Sequence, residues 1–181
     1  MGTILGKLFP PGRLLRRGGL DVALLLKHDS RLYGEVRATR RVRLHYFDIA
    51  RPLAEWAASV AAVAPEVLVG PPSVLAMLAT ALATEDRAIR PELLLAGAEP
   101  LLPRDREGLL RAYGVAPRGV YQAKEGFLAI GCAYGRLHVN EDLVLFEVQR
   151  FPTDPMRMVP VITDFTRRSQ SYWRYRLDDV L

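Results

Sequence analysis

The chain has 181 residues, of which 50% are hydrophobic and 25% are charged, and its formal net charge is +5. This length suits one domain with a substantial core or two small subdomains. The longest apolar region, Trp56 to Ala83, is interrupted by Pro65, Glu66 and the Gly70-Pro71-Pro72 turn. These interruptions exclude an unbroken membrane helix of roughly 20 apolar residues, so a soluble globular protein without a membrane partner is expected.

Cys132 is the single cysteine of the chain. One thiol excludes an internal disulfide, and a reducing compartment is the simpler expectation. The first residues lack the long apolar run of a secretory signal peptide. A cytoplasmic location is therefore expected.

The positive charge is concentrated near the N-terminus, where residues 1–45 hold ten Lys or Arg against three Asp or Glu. Such asymmetry raises binding to nucleic acid or to an anionic surface as a possibility. However, aromatic residues do not interleave with these arginines, as stacking on single-stranded nucleic acid requires. A solvated basic face is favoured over a nucleic-acid interface.

The first predicted elements follow a basic, glycine-rich segment, Gly12 to Gly19, which is predicted to include a turn. Leu20 to Leu26 is mostly apolar and fits either a buried strand or a short helix. Val42 to Phe47 alternates and predicts a strand. Pro52 is tolerated in a first helical turn, and the apolar spacing from Leu53 to Val63 predicts a helix.

Strands and helices then alternate along the chain. Short apolar runs predict strands at Glu66 to Gly70, Pro91 to Ala96, and Gly119 to Gln122. The helices between them are predicted at Val74 to Ala83, capped by Ser73, and at Pro103 to Tyr113, ended by Gly114. This alternation predicts an α/β fold with a mostly parallel sheet flanked by helices.

After Glu125 the predicted strands have no helices between them. They are Phe127 to Cys132, Arg136 to Val139, Leu143 to Gln149, and Met158 to Thr163. Consecutive strands of this kind predict a smaller antiparallel β subdomain. We therefore predict two parts, an α/β subdomain over residues 1–126 and an antiparallel β segment over residues 127–181.

Two predicted loops lie where ligands bind in parallel sheets, beyond the carboxyl ends of strands. The first is Gly97-Ala98-Glu99-Pro100, where Gly97 would let the backbone approach a flat ligand, although an ordinary turn fits equally well. The second is Ala123-Lys124-Glu125-Gly126. Glu125 is suited to ligating a magnesium ion that carries nucleotide phosphates. Lys124 would neutralise phosphate charge, and a surface Lys-Glu pair is the alternative.

Two other side chains have both a structural and a functional interpretation. Tyr121 fits stacking on a nucleobase, but a tyrosine on such a strand is also typical of a core. Asp179, beside Asp178, fits a carboxylate that accepts both hydroxyls of a ribose, or simply a charged terminus.

Cys132 and His138 lie on either side of a predicted turn and have the chemistry of metal ligands. Structural zinc normally needs four ligands, so a buried thiol and a hydrogen-bonded histidine are favoured. A cysteine nucleophile is favoured less, because Cys132 falls within an apolar predicted strand and nothing nearby in the sequence suggests a lowered thiol pKa.

Six sequence blocks gain meaning from their order along the chain. They are Asp21 to Tyr33, Leu68 to Leu75, Ala98 to Pro100, Tyr121 to Ala129, Leu137 to Asp142, and Ile162 to Phe165. In this order they resemble the adenylate-forming enzymes similar to phenylacetate-coenzyme A ligase and to coenzyme F adenylating synthetases. The Tyr-Gln-x-x-Glu-Gly-Phe-Leu and Leu-His-x-Asn-Glu-Asp blocks are fairly specific together, and the resemblance covers nearly the whole chain.

The resemblance implies activation of a carboxylic acid by ATP to an acyl-adenylate, with coenzyme A as a possible acceptor. It implies that Glu125 ligates Mg²⁺, that Tyr121 packs on the adenine, and that Asp179 holds the ribose hydroxyls. The Gly97 to Pro100 loop would border the nucleotide.

The chain also departs from the family pattern. The upstream phosphate loop and the C-terminal domain with its catalytic lysine are missing, so the resemblance implies an internal piece with weak or no activity alone. Lys124 replaces the usual threonine, and Ser171 replaces the proline expected before Arg174-Tyr175-Arg176. A non-catalytic interaction module, completed by another polypeptide or by self-association, is the alternative.

Overall fold

The computed structural model describes residues 6–9, 11–14, 19–27, 42–166 and 170–181. Residues 15–18 of the predicted Gly12 to Gly19 turn lie outside the described residues, as do residues 28–33 of the first resembling block. The chain forms two compact units, residues 1–118 and 119–181. The domain boundary predicted after residue 126 stays a prediction, because a compact unit need not be a domain.

The first unit is built on a parallel sheet. Its strands are β1 (Leu20–Leu26), β2 (Val42–Asp48), β3 (Val67–Gly70) and β4 (Leu93–Ala96). They are ordered β2-β1-β3-β4, and every pair is parallel. The helices are α1 (Pro11–Leu14), α2 (Leu53–Val63), α3 (Pro72–Thr84) and α4 (Pro103–Tyr113). The predicted α/β fold is confirmed, and Leu20–Leu26 is a strand.

Helices α2, α3 and α4 pack against the sheet and share one hydrophobic core. Leu25, Leu68 and Leu94 of three strands are fully buried there with Leu75 and Leu78 of α3. All four residues of β4 are buried, which explains why its sequence is an unbroken apolar run. Loops begin at the carboxyl ends of these strands, at the edge of the core.

The ends of α2 and α4 follow from local backbone chemistry. Ala64 ends α2 with φ 48° and Gly114 ends α4 with φ 76°, both in the left-handed region that closes helices. Both helices have the predicted bounds. The predicted cap of α3 is wrong, because α3 begins at Pro72 and Ser73 therefore lies inside its first turn.

An ion-pair network joins the amino ends of β1 and β2. Asp21 pairs in register with Arg43, whose Nε donates to Asp21 Oδ1 at 2.6 Å, and His45 Nε2 lies 2.7 Å from the same oxygen. The Asp21 amide donates to Glu66 Oε2 at 2.7 Å. The hydrogen bond from Arg43 lowers the pKa of Asp21 to about 2, against the opposing effect of burial, and the hydrogen bond with His45 also lowers it.

Acidification is expected to destabilise the fold partly through Asp21. Because the folded pKa lies below the unfolded one, this carboxylate stabilises the fold above its ordinary pKa, and that stabilisation is lost as the pH falls toward 2. The contribution should be on the order of 1 kcal/mol, since the pair is partly exposed. Urea unfolding of wild type and Asp21→Asn measures it: the gap between them should shrink between about pH 5 and pH 2. A gap that does not change with pH would contradict this assignment.

The second unit contains two antiparallel sheets. One comprises β5 (Arg118–Ala123), β6 (Gly126–Gly131) and β7 (Leu137–Val139). The other comprises β8 (Val144–Phe151), β9 (Asp154–Asp164) and β10 (Tyr175–Arg176), in the order β10-β9-β8. Leu128, Val144, Ile162 and Leu177 form its buried core, with Tyr121 packed against them. The predicted antiparallel arrangement is confirmed.

Candidate functional site

The hairpin between β5 and β6 presents the turn residues Lys124 and Glu125. The pairing register shifts between Tyr121 and Gln122, an irregularity of the kind that re-aims side chains near functional sites. Glu125 is half-buried and Lys124 is exposed. The predicted strand-end loop is therefore present as a tight turn ending at Gly126.

Gly126 lies in close approach to a neighbouring side chain. A Cβ at this position would lie 3.2 Å from Asp164 Oδ2. Asp164 is nearly buried at the end of β9, and its Oδ1 accepts hydrogen bonds from the Thr166 amide at 2.6 Å and hydroxyl at 2.8 Å. Sequence reasoning gave Asp164 no role, although a carboxylate that ends an apolar strand within a resembling block was a usable signal.

Tyr121 and Asp179 form a direct pair. The Tyr121 hydroxyl donates to Asp179 Oδ2 at 2.6 Å, across 58 positions of sequence. Two of the predicted site residues are therefore brought together, and their roles toward a ligand stay predictions. Asp179 is exposed at the surface.

The segment that carries Asp179 is attached along β9. Tyr175 pairs with Ile162, and the Leu177 amide donates to the Pro160 carbonyl at 2.9 Å. Leu181 and Met158 exchange backbone hydrogen bonds at 2.9 and 3.0 Å. Asp179 lies between these attachments, so the backbone that holds it is ordered by β9.

The surroundings of this pair keep the Tyr121 hydroxyl protonated. Burial raises the pKa of Tyr121, and so do its hydrogen bond to Asp179 and the negative charge of Glu125. Both carboxylates therefore act on one tyrosine hydroxyl. A small acidic site of this kind suits ligand hydroxyl groups or a cation, which donate to or neutralise carboxylates.

The oxygen ligands of this site fit Mg²⁺ only if the phosphates of a bound nucleotide complete its coordination. Mg²⁺ is commonly held by one or two carboxylates plus substrate phosphates, and Glu125 has the required oxygen atoms. Within the described ranges, no group of three or more His, Cys, Asp or Glu residues is arranged to hold a metal. Glu125 therefore fits an ion completed by phosphates rather than an all-protein cage.

The predicted Gly97 to Pro100 loop belongs to the first unit and follows β4. The Gly97 amide donates to the Gly70 carbonyl at 3.1 Å, and Ala98 has φ 64°. The Glu99 carboxylate accepts hydrogen bonds from Ser73, with 3.2 Å to the amide nitrogen and 2.8 Å to the hydroxyl oxygen. Pro100 is exposed. The loop is at a strand end as predicted, and its ligand stays a prediction.

The prediction for Cys132 needs two corrections. Strand β6 ends at Gly131, so Cys132 lies in the turn and not within the apolar strand, and it is half-buried. Desolvation raises the pKa of its thiol, but hydrogen bonds with the His138 side chain and with the backbone of Arg136 and Tyr134 lower it to about 7. Local sequence patterns do not reveal this lowering, because it depends on the register of β6 with β7.

Across the described segments, no helix is long and apolar enough to cross a membrane.

Neither protein-family models nor the sequences of curated proteins give a match to this chain. Solved structures do share its fold. The chain is similar to 2-hydroxyisobutyryl-CoA ligase in complex with 2-HIB-AMP and CoA, with a TM-score of 0.72 and 20% identity over 91% of this chain and 40% of the ligase. It is also similar to the anthranilate CoA ligase AuaEII in complex with anthranoyl-AMP, with a TM-score of 0.61 and 10% identity over 86% and 33%.

A third similar structure is the amide bond synthetase McbA from Marinactinospora thermotolerans, with a TM-score of 0.59 and 14% identity. That match covers 86% of this chain and 35% of the synthetase. The chain thus spans about 40% of the length of 2-hydroxyisobutyryl-CoA ligase. It has the fold of a segment of adenylate-forming CoA ligases.

Proposed function

We propose that this chain is the adenosine-binding part of an adenylate-forming ligase. The observation that carries the proposal is the Tyr121–Asp179 pair, because it holds a carboxylate beside an aromatic side chain through a direct hydrogen bond. A carboxylate can accept hydrogen bonds from both vicinal hydroxyls of a ribose, and an aromatic ring can pack on a base. The shared fold with ligases crystallised with acyl-AMP supports this proposal.

Each remaining site residue has a role in this proposal. Glu125 would ligate Mg²⁺ together with the nucleotide phosphates, and Lys124 would offset phosphate charge. The Gly97 to Pro100 loop would border the nucleotide through its backbone. When bound, Mg²⁺ would stabilise the negative charge that develops on the phosphate.

The reaction of the whole enzyme is attack of a substrate carboxylate on the α-phosphate of ATP. A bond forms between a carboxylate oxygen and phosphorus, the α–β bridge breaks, and pyrophosphate leaves with its electron pair. An acceptor thiol such as that of coenzyme A then takes the acyl group, and AMP leaves. In this chain, Asp179 and Tyr121 orient the adenosine, and Glu125 provides an oxygen ligand near the phosphates. We place this chemistry in the cytoplasm and expect the chain alone to bind nucleotide weakly.

Calorimetry with AMP, and with ATP in the presence and absence of Mg²⁺, tests the proposal. Mg²⁺ should strengthen ATP binding to the wild-type chain and should no longer do so in Glu125→Gln, while AMP binding without metal should be kept. Glu141→Gln is the control, since Glu141 is another turn glutamate of the second unit and is exposed. No detectable binding of either nucleotide to the wild-type chain would contradict the proposed function.

A further inference from the structure

The first turn of α3 receives no side-chain cap from its own N-cap residue. Pro71 occupies the N-cap position and Pro72 the first helical position, so neither has an amide hydrogen to satisfy. Ser73 is therefore the first residue of α3 with an amide that needs a partner. Pro71 has no side-chain acceptor to offer, and the helix gets no cap from its own N-cap residue.

Glu99 supplies that cap from the neighbouring strand-end loop. Its two carboxylate oxygens accept from the Ser73 amide and hydroxyl, 26 positions away in sequence. The Gly97 amide meanwhile donates to the Gly70 carbonyl, where β4 pairs with β3. The loop is thus attached to β3 through its backbone and to α3 through the side chain of Glu99.

Ala98 lies between these two attachments in the left-handed region, with φ 64°. Residues other than glycine rarely adopt this conformation, and it persists where the surroundings hold it. The two attachments on either side of Ala98 provide that constraint. Glu99 therefore has a structural reason to face α3 rather than a ligand.

The cap also decides which part of a ligand this loop can bind. A helix N-terminus beyond a parallel strand is a common phosphate site, because its amides attract anions. Here the Ser73 amide is already bound to a carboxylate, and the negative charge of Glu99 opposes a second anion. What the loop can still offer a ligand is its backbone, which suits an uncharged group.

We propose that Glu99 is a positioning residue: by capping α3 it holds the left-handed turn at Ala98, so that the loop backbone meets the uncharged nucleoside and not the phosphates. The inference rests on the proposed function for its ligand. Its structural half, the dependence of the loop on the Glu99 cap, does not depend on any ligand.

Amide hydrogen exchange and nucleoside binding test the two halves separately. In Glu99→Ala, exchange of the Ser73 amide should accelerate by about fivefold or more, as loss of a helix cap implies. Adenosine and AMP affinities should fall by the same factor, roughly fivefold, because the phosphate is not involved. Glu99→Gln keeps an acceptor oxygen and should restore most of both properties.

Glu107→Ala, which removes an exposed carboxylate of α4, is the control and should change neither property. Unchanged Ser73 exchange in Glu99→Ala would overturn the inference, and so would an affinity loss for AMP that adenosine does not share. If the wild-type chain binds neither adenosine nor AMP, the proposed function and the ligand half are both contradicted. Ser73 exchange then still decides whether Glu99 positions the loop.

Discussion

Asp179→Asn is expected to weaken AMP binding by at least about tenfold, since a hydrogen bond to a charged acceptor contributes roughly 1.5–3 kcal/mol. Asparagine keeps an oxygen that can accept from the Tyr121 hydroxyl, so the backbone of this segment should stay in place. What is lost is the carboxylate that can accept from both ribose hydroxyls. Calorimetric titration of the variant with AMP measures the loss.

Asp178→Asn is the matched control for this substitution. It makes the same change of charge at the adjacent exposed position and should leave AMP affinity within about twofold, as expected of a screened surface charge. Tyr121→Phe keeps the ring but removes the hydroxyl, and should give a smaller loss than Asp179→Asn. If Asp178→Asn and Asp179→Asn weaken AMP binding equally, only the total charge matters, and the ribose assignment is contradicted.

Gly70→Ala is expected to destabilise the first unit by about 1–3 kcal/mol, as overpacking of a dense core does. A Cβ at Gly70 would meet Leu25 Cβ at 3.0 Å and the Leu25 carbonyl oxygen at 3.4 Å. The Cβ atom and the carbonyl oxygen of Leu25 are both fixed by the backbone, so neither can move away by a change of rotamer. Urea unfolding should show a lower midpoint with an unchanged slope.

Gly108→Ala provides the control for the same chemical change. Gly108 lies inside α4, and a Cβ there would meet nothing within 4 Å. This substitution should stabilise the fold by roughly 0.5–1 kcal/mol through helix propensity. A midpoint for Gly70→Ala at or above that of wild type would contradict the packing argument.

Local sequence patterns predicted much of the fold because local chemistry determines those elements. Prolines near the first turn and left-handed residues at the end set the bounds of α2 and α4. The same reasoning failed at Ser73. Its position was misread because Pro72 already begins α3, and the cap comes from Glu99 in the loop that follows β4.

The candidate site was less predictable, since its contacts join residues far apart in sequence. Tyr121 and Asp179 each had a structural and a functional interpretation, and their hydrogen bond joins positions that lie 58 residues apart in sequence. The lowered pKa of the Cys132 thiol depends in the same way on His138. A pattern read along the chain does not contain these pairings.

The central claim is that Asp179 and Tyr121 form the ribose side of a nucleotide site. Titration of the wild-type chain with AMP and with its 2′,3′-dideoxy analogue tests this most directly, because the two ligands differ only in the hydroxyls that Asp179 would bind. We predict measurable AMP binding and a loss of about tenfold or more for the dideoxy analogue. Equal affinities for the two ligands, or no binding of AMP, would contradict the account.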